Sequence, residues 1–265
     1  MLNYFYNVKR YFKFDKGEIR DVLFIILVFT FVLGYDDGHS EFILGRWLFN
    51  FFNSFVIATV VVLTKEVAHK LMAIKRGYTV RMKLWTPILL INFFLVFLLD
   101  GKIHVMLPVA GLFIHHHERM RIGEFRYGHN YFDNALIAFA GPLANIYLAS
   151  FFNLFSATPN PLVSLAIQTS LIYGIVNLIP IDILFFFIQS PNMLEKADSR
   201  KHPAPFAGTY MFYSTRLFYV FSVTVCAILT ATIFNMGVLL STISAFVIGF
   251  VVFFVIWWQH EFTLV

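Results

Sequence analysis

The sequence predicts an all-α polytopic membrane protein with about six transmembrane helices. Hydrophobic residues make up 59% of its 265 residues, and charged residues make up only 13%. Soluble domains are closer to half apolar and a quarter charged, so this chain lacks the polar surface that a soluble globule needs. The same composition argues against disorder and against a coiled coil. The single cysteine, Cys226, cannot form a disulfide within the chain.

Long apolar runs predict the spans. Five Lys and Arg residues precede the first run, and a turn rich in Gly and Asp follows it instead of a small-residue cleavage site, so a transmembrane segment is favoured over a cleavable signal peptide. The second run continues into a basic stretch, and the remaining runs are separated by polar segments. The predicted spans are 22–35, 47–64, 134–155, 161–189, 213–234 and 237–258.

Two shorter apolar runs, 85–99 and 103–114, are separated by the turn-like sequence Asp-Gly-Lys. Each run is short for a full crossing. We therefore expect a re-entrant or β-hairpin element at 85–114. Such an element is tolerated at membrane depth only where the protein or a watery cavity satisfies its backbone.

The net charge of +5 is explained by topology. If residues 85–114 enter and leave on one side, 18 of the 20 Lys and Arg residues fall in segments on the side of the amino terminus. The positive-inside rule then predicts an integral, multi-pass membrane protein with both termini in the cytoplasm. Nucleic-acid binding is not needed to explain the basicity, and the lipid bilayer is the expected partner.

Glu66 and His69 are the first candidates for chemistry, because ionisable residues inside a membrane bundle are costly and mark functional sites. They lie three residues apart near the end of the second span and share a helix face. The alternative is that they lie in water just beyond the membrane boundary. Lys65 beside them could extend its ammonium to the interface, or it could turn inward and pair with a carboxylate.

Residues 61–78, VVLTKEVAHKLMAIKRGY, resemble the zinc-binding helix of the site-2 protease family of intramembrane metalloproteases. The family pattern is H-E-x-x-H, in which two His hold zinc and the Glu is the general base on the bound water. This sequence reads Lys-Glu-Val-Ala-His, so Lys65 stands where the first His belongs. The resemblance implies Glu66 as catalytic residue and His69 as metal ligand.

Two later segments strengthen the resemblance. Residues 138–149, AFAGPLANIYLA, look like the family's A-G-P-x-x-N helix, and residues 174–180, GIVNLIP, look like its N-x-x-P stretch. The resemblance implies one membrane-embedded domain over 1–265, with a zinc-helix equivalent at 47–76, the re-entrant element at 85–114, an AGPxxN helix at 134–155, an NxxP helix at 161–189 and a polar insert at 190–212. It also implies a substrate channel lined by Gly141, Pro142, Asn145 and Asn177.

The family's third zinc ligand is the Asp of an Asp-Gly pair. Residues 205–221 resemble the segment around that pair, and there Ala207 takes the place of the Asp. On a second alignment Asp182 is a displaced ligand. A catalytic zinc needs three protein ligands, and a protonated Lys or an Ala supplies none. We therefore expect zinc, the family's cofactor, to be absent or weakly bound here.

The leading functional prediction is a catalytically impaired or inactive member that binds or regulates transmembrane helices of other membrane proteins. The alternative is an active zinc protease whose atypical ligands are His69, Asp182 and one His of 115–117. A transporter is a remote alternative, because neither matched halves nor paired broken helices are visible.

Overall fold

The computed structural model describes residues 2–36, 42–101, 104, 106–116, 131–156, 160–180 and 206–262. These residues are mostly helical and include one two-stranded sheet. The elements are α1 (Leu2–Tyr11), α2 (Lys16–Gly34), α3 (Leu44–Arg76), β1 (Tyr78–Leu84), α4 (Thr86–Leu98), β2 (Ala110–His116), α5 (Tyr131–Asn153), α6 (Pro161–Val176), α7 (Ala207–Ser214), α8 (Arg216–Asn235) and α9 (Val238–Phe262).

Three of these helices, α3, α5 and α8, are long and apolar enough to cross a membrane by their length and composition. Helices α4 and α6 and the first part of α9 are apolar but shorter. The three long helices indicate a membrane protein. The arrangement of six crossings stays a prediction.

Helices α2 and α3 pack along each other, and their ends are set by local sequence. Asp15 and Glu18 form a capping box at the start of α2, which satisfies free backbone N–H groups there. Helix α3 is capped at its C-terminus by Gly77, whose φ of 80° is left-handed and suits glycine. The chain then enters β1 without a further loop.

Strands β1 and β2 pair antiparallel, from Tyr78 opposite His116 to Leu84 opposite Ala110. The outer edge of β1 is bound by side chains of α2. Glu18 accepts a hydrogen bond from the backbone N–H of Met82 at 3.0 Å, and Asp21 accepts one from that of Leu84 at 3.2 Å. The sheet therefore lies at the end of the bundle where α2 starts and α3 finishes, which we name the sheet end.

The chain at 85–114 leaves the sheet end and returns to it. Helix α4 runs to a turn at Asp100 and Gly101, and Gly101 lies against Tyr35 at the far end of α2. We name that end of the bundle the turn end. The return segment leads into β2, which pairs with β1. The expected re-entrant or β-hairpin element at 85–114 thus contains the short helix α4 and the start of strand β2. The partner of β2 is β1, which precedes residue 85 in the chain.

The buried side chain of Asn92 satisfies backbone groups of the return segment. Its Oδ1 accepts a hydrogen bond from the Leu107 N–H at 2.9 Å, and its Nδ2 donates to the Leu107 carbonyl at 3.3 Å. The N–H of Trp85 donates to the carbonyl of Val109 at 2.7 Å. Non-helical backbone inside a bundle needs such partners, and here the protein supplies them.

Two predicted boundaries differ from the structure. The predicted NxxP helix at 161–189 ends at Val176, and a turn leads to Pro180. Proline lacks an N–H and disfavours helical geometry in the residue before it, so the helix stops early. The end of the predicted polar insert 190–212 includes the first part of α7, whose residues Ala207 to Met211 are buried. Their burial places this part of the insert inside the bundle.

Candidate functional site

The residues Lys65, Glu66 and His69 lie inside the bundle. Their exposed fractions are 1%, 2% and 0%. Lys65 is eleven residues before the end of α3, which is about 16 Å along the helix axis. The three side chains are therefore shielded from water by the protein itself.

The ammonium of Lys65 is held by two groups. Its Nζ donates a hydrogen bond to the hydroxyl of Tyr173 on α6 at 3.0 Å and lies 4.8 Å from the centre of that ring. It is also 3.5 Å from Oε1 of Glu66. A buried charge is costly unless it is paired and hydrogen-bonded, and this Lys has both kinds of partner. The side chain turns into the bundle and does not extend to the membrane interface.

Tyr173 is the residue of this cluster that sequence reasoning missed. It is fully buried, and its ring packs edge-on against Phe29 of α2 at a centroid distance of 5.0 Å. The signal in the sequence was indirect, since a Lys in an apolar helix implies a partner without naming it. Tyr173 lies four residues, or about one helical turn, before Asn177. The N-x-x-P segment therefore indicated the part of the chain in which Tyr173 lies, although it did not indicate Tyr173 itself.

The imidazole of His69 is enclosed by the protein on both of its nitrogens. Nδ1 is 3.7 Å from Oε2 of Glu66, and Nε2 is 3.3 Å from the carbonyl oxygen of Ala138 on α5. The ring lies directly over Gly141, where a Cβ atom would come closer than 3 Å to three ring atoms. Gly141 therefore permits the close approach of α3 and α5 at this point.

The predicted channel residues Pro142 and Asn145 are buried on α5. Asn145 is fully buried, and neither its amide oxygen nor its amide nitrogen has a hydrogen-bond partner among the described residues. Gly174 of α6 packs beside both, because a Cβ there would lie 3.1 Å from the Pro142 carbonyl oxygen and 3.5 Å from Asn145 Cβ. The A-G-P-x-x-N segment thus contacts the zinc-helix equivalent through Gly141 and α6 through Asn145.

The N-x-x-P segment and the Ala-Gly pair are also adjacent. Asn177 is buried and donates a hydrogen bond from Nδ2 to the carbonyl of Tyr173 at 2.6 Å. Gly208 lies against the backbone of Leu178 and Ile179, where a Cβ would come within 2.6 Å of three atoms. The buried Ala207 precedes it at the start of α7. The segments that carry the resemblance therefore pack consecutively, α3 on α5, α5 on α6, and the end of α6 on α7.

Donor atoms for a zinc ion are few among the residues that the structure describes. Among them, no three His, Cys, Asp or Glu side chains are grouped so that they could hold a metal. Nε2 of His69 faces the carbonyl oxygen of Ala138, the first His position holds a lysine, and Ala207 has no donor atom. Asp182, the tentative third ligand, lies outside the described residues.

The other histidine cluster is divided between a strand and a segment that is not described. His115 and His116 end strand β2, and His117 lies outside the described residues. The His115 ring is exposed and stacks on Phe113 at a centroid distance of 6.1 Å with an interplanar angle of 4°.

The arrangement therefore provides a buried fixed charge pair, a histidine held between two helices and an unsatisfied amide. Comparison with known proteins identifies no relative of this chain. No protein-family model, no curated protein and no solved structure matches the chain.

Proposed function

We propose that this protein is a non-catalytic member of the site-2 protease type that binds transmembrane segments of other membrane proteins. In this proposal the Lys65 ammonium supplies the positive charge that zinc supplies in a catalytic member. The observation that carries the proposal is the pairing of Lys65 with Glu66 and Tyr173 in the bundle interior.

The charge pair accounts for the lost metal position. A zinc-binding helix places two His one turn apart with the Glu between them, all facing one ion. Here the first of these positions carries a cation, and the Glu66 carboxylate lies within 4 Å of both Lys65 and His69. A metal ion at this point would be repelled by the ammonium, and the carboxylate would no longer be free to act as a base on water.

The helix packing around the charge pair supports a retained scaffold. Gly141 and Gly208 each approach a neighbouring element so closely that any side chain would clash. In this proposal the two glycines, which belong to the segments that resemble the family, still allow close helix packing although the zinc ligands have been lost. The binding of transmembrane segments follows from the resemblance, because the proteases of that family take such segments as substrates.

The test is metal analysis of the purified protein together with a variant in which the ligands are restored. We expect the wild-type protein and Glu66→Gln to contain equally little zinc. The double variant Lys65→His with Ala207→Asp should gain close to one zinc per chain and should cleave a transmembrane test substrate. Stoichiometric zinc in the wild type that cleaves a substrate through Glu66 would overturn the proposal in favour of the active-protease alternative.

Single variants separate the two alignments. If Lys65→His alone binds zinc, and Asp182→Ala removes that zinc, then Asp182 is the third ligand position and Ala207 is not. If the double variant binds zinc and Lys65→His alone does not, Ala207 occupies the ligand position.

Partner binding is measured independently, by energy transfer between labelled protein and a labelled transmembrane peptide in vesicles. No transfer above that of a lipid-dilution control for a panel of such peptides would contradict the binding role.

A further inference from the structure

Helix α6 exposes two polar side chains, Ser164 and Gln168, one turn apart on a face that is otherwise apolar. Gln168 is the eighth of sixteen residues in α6, so it lies near the middle of a helix about 24 Å long. Its side chain is exposed, and its one hydrogen bond to the described residues is a long one, donated by Nε2 to Ser164 Oγ at 3.5 Å. An amide at this depth in a bilayer lacks the partners that water would provide.

Other exposed polar side chains on the apolar helices do not raise this question. Thr59 on α3 donates its hydroxyl to the Phe55 carbonyl at 2.7 Å, and Thr224 on α8 donates to the Val220 carbonyl at 2.8 Å. A hydroxyl can bond to its own helix in this way. Among the described residues, the longer amide of Gln168 reaches the Ser164 hydroxyl at 3.5 Å and no backbone carbonyl of α6.

The residues around Gln168 form a seam that we name the α6 seam. Its members follow one another at alternating intervals of four and three residues, and each is exposed or half-buried. They are Pro161, Leu165, Gln168, Ile172 and Ile175. This spacing is the heptad pattern by which two parallel helices pack side by side. A single polar residue at a core position of such a pattern fixes the register and the number of helices.

We propose that the α6 seam is the interface of a parallel homodimer in the membrane, with Gln168 of one copy hydrogen-bonded to Gln168 of the second. The primary amide carries both donors and an acceptor, so two copies related by a two-fold axis satisfy each other reciprocally. Leu165 and Ile172, the neighbours of Gln168 along the seam, supply apolar packing on either side. This inference does not depend on the proposed function.

The test uses the fact that the chain has one cysteine, which is buried. Cys226 is 1% exposed and is replaced by Ala as background. Ile172→Cys places a thiol on the seam, and two seam positions meet across a parallel pair. We expect efficient disulfide crosslinking to a dimer in vesicles that contain only the purified protein. Val220→Cys, on an exposed face of α8, is the matched control and should crosslink at the level of random collision.

A second variant tests the amide itself. Gln168→Leu should reduce the association constant roughly tenfold, as expected for the loss of an interhelical amide pair in a membrane. Gln168→Asn keeps the amide and should retain most of the association. Thermal unfolding of the Gln168→Leu monomer should match the wild type, because the bond of 3.5 Å to Ser164 is the one hydrogen bond that the side chain makes to the described residues.

Three outcomes would overturn the proposal. They are crosslinking at Ile172 no greater than at Val220, an association constant unchanged in Gln168→Leu, and crosslinking at Ile172 that occurs only in cell membranes and gives a product of another mass. The last result would assign the α6 seam to a different membrane protein.

Discussion

At the scale of single residues, the charges of Lys65 and Glu66 and the hydroxyl of Tyr173 form one cluster, although Tyr173 is distant in the sequence. Lys65 and Glu66 are adjacent, but the hydroxyl that completes the cluster comes from a residue 108 positions away. Burial of an ion pair is expensive, and its mutual attraction offsets that cost only while both partners remain. The pair therefore behaves as a unit, and its members should not be interchangeable with neutral residues one at a time.

This coupling gives the first prediction. Lys65→Met should lower the free energy of unfolding by about 3–5 kcal/mol, because it leaves the Glu66 carboxylate buried without its cation. Glu66→Gln should also destabilise the protein, since it leaves the ammonium without its counter-charge. The double variant Lys65→Met with Glu66→Gln should be closer to the wild type than either single variant. Thermal unfolding of all four proteins in one detergent measures the coupling.

Additive effects would contradict the first prediction. If the double variant loses as much stability as the sum of the two single variants, the two charges act independently and Tyr173 alone holds the lysine.

The sequence predicted the residues of this cluster that lie on one helix and missed the one that does not. Glu66 and His69 follow from the spacing of a zinc-helix pattern, and an intramembrane Lys65 demands a partner. Tyr173 is the one aromatic residue of α6, but nothing in the sequence pairs it with Lys65 until α6 is packed against α3. Asn92 is a comparable case, because its role depends on a return segment that local patterns do not specify.

At the scale of the elements, α3 and α5 approach each other closely where His69 covers Gly141. A small residue such as Gly141 lets two helices pack closely in this way. What the sequence did not indicate is that the histidine, predicted as a ligand, is part of the helix contact. Its ring takes up the space that a larger residue at position 141 would need.

The second prediction follows from this contact. Gly141→Ala should destabilise the protein by about 1–3 kcal/mol, because a Cβ at this position would overlap the His69 ring. Gly45→Ala on α3 is the matched control, since a Cβ there meets no atom within 4 Å, and it should be neutral or slightly stabilising. Chemical unfolding of both variants compares the two. Equal stability of the two variants would mean that the His69 ring moves aside at no cost.

The sheet is attached to the helices by a second buried ion pair. The Lys70 ammonium donates to both carboxylate oxygens of Glu18 at 3.0 Å and to the Val80 carbonyl at 3.1 Å. Glu18 also accepts from the Met82 N–H. One carboxylate thus joins α2, α3 and β1. The sequence-based reading treated the basic residues here as a flank of the membrane, and this cross-link was missed.

The third prediction concerns this attachment. Glu18→Gln should destabilise the protein by about 3 kcal/mol, because the buried Lys70 loses its counter-charge. It should also reduce hydrogen-exchange protection of the Met82 amide more than that of α8. Arg81→Ala is the control, since the Arg81–Asp15 pair is largely exposed and contributes about 0–1 kcal/mol. Unchanged protection at Met82 in Glu18→Gln would show that pairing with β2 alone holds β1.

At the scale of the whole molecule, both ends of the bundle can be identified from contacts. The sheet end also holds the junction of α3 and α5, where Arg76 pairs with Asp133 at 3.3 Å. Towards the turn end, Asn153 near the end of α5 donates to Ser241 near the start of α9 at 3.0 Å. Most basic residues of the described chain lie at the sheet end. Lys65 and Lys70 do not count as interfacial charges, because both are buried in ion pairs.

The charge distribution gives the fourth prediction, that the sheet end faces the cytoplasm. Cysteines at Lys16 or Arg81 should react with a membrane-impermeant maleimide only after cells are permeabilised. Cysteines at Gly45 or Gly237, where a side chain meets no neighbouring atom, should react in intact cells. Buried Cys226 contributes no background. Labelling of both pairs from the same side would contradict a bundle that spans the bilayer, and labelling of Lys16→Cys in intact cells would reverse its orientation. Because the paired strands bring β2 back to β1, the two termini of the 85–114 element should behave alike in this assay, whereas a true crossing at 85–99 would separate them.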